Sequence, residues 1–163
     1  MADFRTPELI TPFTQVHRKS AIKSAGQAQL LSGRWAALDA SGEAAYPGAG
    51  AKQGLYLVIE GSHIHIGSNT EFGGSTPFAS TNAESLPSVA AAGAVGLAYG
   101  VFRYRVGPEG CNPAATYTVG SLVEVDADGR VIPLAAGVAI ARVEAVSTNA
   151  NGVTELVLRT LGN

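Results

Sequence analysis

Residues 33–42 read GRWAALDASG, and residues 120–129 read GSLVEVDADG. The spacing is the same in both: Gly33 to Asp39 matches Gly120 to Asp126, then Ala40 matches Ala127 and Gly42 matches Gly129. Each copy runs from a glycine through a short apolar strand to an Asp-Ala-x-Gly turn. An Asp at that place accepts from its own downstream amides, and a Gly supplies the positive φ that a tight reversal requires. A proline follows each turn, Pro47 or Pro133, and then a Gly-led apolar strand, GLYLVIEG from Gly54 or GVAIARVEA from Gly137. The two stretches are related β-hairpin units. Two copies are too few for a solenoid, which needs three units to bury a continuous core. The expected fold is therefore all-β, a compact small barrel or sandwich-like body.

The bulk composition agrees. The chain has 163 residues, 46% of them hydrophobic, with 20 glycines, enough for one core with many turns. Net charge is −2, which argues against a protein held to nucleic acid by phosphate contacts. Residues 1–30 are the exception: Arg5, Arg18, Lys19 and Lys23 outnumber Asp3 and Glu8, so a mildly basic leader precedes an acidic body. A lone Cys111 permits no internal disulfide. The stretch Val89–Phe102 is too short and too glycine-rich for a membrane span and runs into Arg103 and Arg105.

Pro7 and Pro12 and the lack of period-2 alternation mark residues 1–30 as an extended arm, with a short helix permitted across His17–Leu31. Residues 31–163 form a single β-rich domain. Strands are predicted near 34–39, 55–60, 62–66, 95–106, 117–125, 138–146 and 153–160. Residues 67–87 form a long polar loop whose Phe72 and Phe78 need cover from the body or a neighbour. The candidate partner-binding residues are Phe4, Arg5, Phe13, Arg18 and Lys19 on the arm, with Phe72 and Phe78 as a loop interface.

Signals for catalysis are thin. His63 and His65 share one strand face, but His17 is the only other histidine and no carboxylate cluster joins them, so neither metal nor cofactor is expected. The string EFGGSTPF, Glu71–Phe78, resembles the phosphate-covering motif of trimeric deoxyuridine triphosphatases, without that family's other motifs.

The C-terminal run from Thr118 resembles the end of the small head-decoration, or capsid cement, proteins of tailed bacteriophages. The likeness rests on Gly120, Val123, Asp126, Asp128, Gly129 and Val131, then the strand Val138–Val146, then the NG-type hairpin and the last strand from Gly152 to Leu161. It covers about the last third of the chain, and the Gly33–Gly61 copy echoes it. The arm is longer than in the smallest members, and residues 67–87 have no counterpart. The resemblance implies a non-enzymatic virion protein, a homotrimer on the outer capsid surface, that clamps the major capsid protein and binds neither nucleic acid nor membrane. Two other readings stand beside it: a carbohydrate-binding module of a head or tail fibre, for which exposed aromatics are the discriminating feature, and a trimeric nucleotide hydrolase. Trp35, in the place of Leu122, is assigned to core packing rather than to a sugar.

Overall fold

The computed structural model describes residues 7–27, 29–48, 54–60, 94–148 and 152–162. Among them every element except a 3₁₀ turn at Phe13–Gln15 is a strand: β1 (Glu8–Leu9), β2 (His17–Lys23), β3 (Trp35–Leu38), β4 (Glu43–Ala45), β5 (Leu55–Glu60), β6 (Ala94–Tyr99), β7 (Arg103–Val106), β8 (Leu122–Val125), β9 (Val131–Pro133), β10 (Ala141–Thr148) and β11 (Thr154–Thr160). They build a closed barrel, β2-β4-β3-β5-β6, and a six-stranded sheet, β1-β7-β11-β10-β8-β9. The fold is all-β, as the sequence indicates.

The two hairpins match bond for bond. Asp39 accepts from the amides of Ser41 and Glu43 at 2.8 and 2.9 Å, and Asp126 from those of Asp128 and Arg130, both at 2.9 Å. Gly42 and Gly129 close the turns at φ +79 and +78°, a conformation that costs an L-residue roughly 1–2 kcal/mol. The leading glycines also correspond: the Gly33 amide donates to the Val58 carbonyl and the Gly120 amide to that of Val143, both at 2.8 Å. Leu38 pairs with Ala44 as Val125 pairs with Val131.

The correspondence extends well past the hairpins. In the barrel β5 pairs with β6 and slips register after Val58; in the sheet β10 pairs with β11 and slips after Val143. On the far side of β6 lies β2, with Arg18 opposite Ala98; on the far side of β11 lies β7, with Arg103 opposite Arg159. Strand order is thus β2-β6-β5-β3-β4 in one unit and β7-β11-β10-β8-β9 in the other. A parallel pair, Lys23 opposite Ala44, closes the barrel. The counterpart of Ala44 is Val131, which makes a parallel bridge to Cys111 and receives the Asn112 amide at 3.0 Å, as Ala44 receives that of Ser24 at 2.8 Å. The described residues form one five-stranded unit written twice, with β1 added to the edge of the second.

Both interiors use the same positions. Ala21, Ala36 and Ala44 are buried in the first unit, and Val106, Val123 and Val131 in the second; Val58, Leu97 and Leu30 correspond to Val143, Leu158 and Tyr117. Each Ala-to-Val exchange buries two more carbons, worth roughly 1.5 kcal/mol. The first interior holds a buried Lys23 where the second holds Cys111. Its ammonium donates to the carbonyls of Ser24 and Gln27.

The expected arm requires correction. Residues 17–23 are neither arm nor helix but a seven-residue barrel strand, paired to β6 from His17–Tyr99 to Ile22–Ala94, and Glu8–Leu9 pair with β7. Only Ala21 and Lys23 of β2 are buried, so its period-2 signal was two residues long, and pairing overrode the helix preference of Lys and Ala. The single strand expected over 95–106 is two, separated at Gly100 with φ +89°. Likewise 117–125 shortens to β8, because the positive φ of Gly120 starts that strand late. The three-residue β4 and β9 carried no readable alternation. The strand expected at 62–66 and the loop at 67–87 lie outside the described residues.

The matched glycines provide an internal control. A Cβ on Gly42 meets nothing within 4 Å, whereas one on Gly129 falls 2.3 Å from the Trp35 carbonyl oxygen. In denaturant unfolding, Gly42→Ala is expected to cost about 1–2 kcal/mol and Gly129→Ala at least about 2 kcal/mol more, since the contacted atom is backbone. Equal costs would contradict the packing described.

Burial of Cys111 and Tyr117 in the second unit carries a pH signature. Burial, reinforced by the Glu109 carboxylate and opposed by Arg130, pushes the Cys111 thiol up to about 12 from an ordinary 9.0. Burial likewise pushes the Tyr117 phenol up to about 12 from 10.0, while its hydroxyl donates to the Val131 carbonyl at 2.7 Å. Both groups stay neutral in the fold where they ionise in the unfolded chain, so their contribution is complete below pH 9 and is lost as pH rises toward 12. Unfolding free energies measured from pH 8 to 11 should fall across that window, and Cys111 should react with a thiol reagent at pH 8 only after unfolding. Rapid labelling of the native protein would contradict this burial.

Candidate docking surface

Strand β3 turns Ala36 into the first barrel and Trp35 out of it. Trp35 is nevertheless only 3% exposed, because its outward side lies against the end of the second unit where β7 begins. There the indole Nε1 donates to the Tyr104 hydroxyl at 3.0 Å, with the two rings edge-on at 6.2 Å and Phe102 beside Tyr104 at 5.8 Å. Leu57, Ile59 and Ala98 belong to the same apolar cluster. Burial drives the Tyr104 phenol far above its ordinary range, and the Trp35 hydrogen bond offsets only part of that rise. Backbone contact is close as well: the Trp35 amide donates to Gly129 at 2.7 Å, the Gly48 amide to Ala127 at 3.1 Å, and Arg34 Nε to Glu109 at 2.9 Å.

The register assigns each residue at this covered end a counterpart in the first barrel. Phe102, Tyr104, Ala141 and Thr160 correspond to His17, Lys19, Tyr56 and Tyr99. The first four are buried, whereas His17, Lys19 and Tyr99 are exposed and Tyr56 is half-buried. They form one connected group: His17 stacks on Tyr99 at 5.4 Å, Tyr56 meets Tyr99 edge-on at 5.8 Å, and the Lys19 ammonium lies 5.9 Å from the centre of the Tyr56 ring. Beside them runs a cleft of about 450 Å³ whose lining includes His17, Arg18, Lys19, Ile59 and Tyr99 and, among the described residues, no carboxylate. Such a surface suits planar or apolar groups that carry negative charge.

Of the residues singled out by sequence, Arg18 and Lys19 line this cleft from β2, and Phe13 stands at the start of the 3₁₀ turn. Phe4, Arg5, Phe72, Phe78, His63 and His65 lie outside the described residues. Tyr56 and Tyr99 were missed as surface aromatics. Reading 95–106 as one strand hid Tyr99, whose place at a strand end is set by Gly100. Trp35 packs in the core as expected. Among the described residues no group of three or more His, Cys, Asp or Glu is placed to hold a metal ion.

Comparison of the chain with known protein families, with curated proteins and with solved structures finds no match.

The junction is testable by removing one atom. Tyr104→Phe leaves the Trp35 N–H buried without its acceptor and should cost about 1–3 kcal/mol of stability, with a shift in Trp35 fluorescence. A neutral substitution would remove this hydrogen bond from the account of the junction.

Proposed function

We propose that the chain is a capsid decoration protein: it binds the outer surface of an assembled tailed-phage head, as a homotrimer, and ties neighbouring subunits of the major capsid protein together. The observation that carries this reading is the sequence likeness from Thr118 onward, a stretch that contains β8, β9, β10 and β11. The body supports it in kind, being a paired β scaffold with a basic, aromatic surface on one barrel end. A protein that binds only the assembled lattice stabilises it by RT ln(1 + [L]/Kd) at each site. Repeated over a shell, modest contacts resist internal DNA pressure.

One observation favours a second reading. Tyr99 lines an open cleft and Tyr56 packs edge-on against it, an arrangement suited to stacking on a sugar, so a carbohydrate-binding module is the alternative.

The ratio of this chain to the coat protein in purified DNA-filled heads separates the two. A fixed lattice fraction is expected for a decoration protein. A handful of copies, with binding to a glycan array, would favour the fibre module, and absence from the particle would overturn both.

A further inference from the structure

The duplication gives the open end of the first barrel a template. At the matching end of the second unit a large apolar side chain, Trp35, arrives from outside, covers Phe102 and Tyr104, and makes one polar contact, to the Tyr104 hydroxyl. At the first end the Tyr104 position is Lys19 and the Phe102 position is His17, so the hydrogen-bond acceptor has become a cation. The rest of the platform is kept in altered form: Ala141 becomes Tyr56 and Thr160 becomes Tyr99, which hold aromatic surface beside the cleft.

We infer that the open end of the first barrel is a socket for an apolar side chain flanked by a carboxylate, projecting from the surface of the capsid partner. The apolar group takes the place that Trp35 takes on the second unit, against Tyr56 and Tyr99, and the carboxylate accepts from the Lys19 ammonium. Charge decides against a second copy of this chain as the occupant. The outer surface of the second unit, the counterpart of the Trp35 surface, carries Arg103, Arg159 and Arg142 in one cross-strand row; Glu144 pairs with Arg103, and the exposed Arg159 and Arg142 would be repelled by Lys19.

This inference rests on the decoration reading, and one experiment separates their failures. The full-length protein is incubated with expanded heads lacking it, and binding is followed by co-sedimentation as a function of salt for the wild type, Lys19→Glu, Tyr99→Ala and Arg142→Glu. Circular dichroism establishes that each variant is folded. Expected are a loss of at least tenfold in affinity for Lys19→Glu with a shallower salt dependence, a clear loss for Tyr99→Ala, and a change within twofold for Arg142→Glu. Wild-type binding that Lys19→Glu and Tyr99→Ala leave intact would overturn the socket and keep the decoration reading. Failure of the wild type to bind heads would overturn the decoration reading and the socket with it. Self-association abolished by Lys19→Glu, or glycan binding abolished by Tyr99→Ala without head binding, would also overturn the socket.

Discussion

The seat of Trp35 on the second unit is the constraint from which the other features follow. An indole buried between two β units needs an acceptor, supplied by Tyr104 at 3.0 Å, and backbone near enough to exclude water, which Gly129 and Gly110 permit by lacking a Cβ. It also decides surface chemistry. Leu57 and Ala98 are apolar and covered, while their counterparts Arg142 and Arg159 hold the same register positions on the second unit and are exposed. One backbone plan thus carries an apolar outer side where it meets its own twin and a charged one where it does not.

Inside, the two copies kept the positions and changed the sizes. Valines of the second unit stand where the first has alanines, and Lys23 takes the place of Cys111. The first core fills the interior of a closed five-stranded barrel, where side-chain volume and strand stagger must agree. The ends diverge more, from Phe102 and Tyr104 to His17 and Lys19. Divergence is greatest at the end where, among the described residues, His17, Lys19 and Tyr99 are exposed, and that is the ground for reading this end as a surface with a purpose.

How much of this was legible in the sequence follows from the range of each interaction. The hairpin units were readable because their determinants, Asp39 to Gly42 and Asp126 to Gly129, lie within four residues of one another. The role of Trp35 was readable from its place in the repeat. By contrast β2 was not, since its partners are residues 94–99 and its exposed side chains, His17 to Ser20, are polar. The closing pair Lys23–Ala44 and the matching bridge Cys111–Val131 leave no local mark either. The extent of the duplication was hidden for a related reason: equivalence is kept in hydrogen-bond register and not in residue identity. Of the candidate site, Arg18 and Lys19 were found as charges and misplaced on an arm, and Tyr56 and Tyr99 became visible only once strand ends were fixed.

The central claim is that the barrel and the six-stranded sheet are one cooperative structure joined at Trp35. The single tryptophan of the chain reports that junction alone, while far-ultraviolet circular dichroism reports all strands. Equilibrium unfolding in urea, followed by both signals on one sample, tests the claim most directly. Coincident transitions with the same midpoint and slope are the outcome this account requires. A tryptophan transition completed before the dichroism changes would show a barrel and a sheet that fold independently, and the junction would lose its governing place.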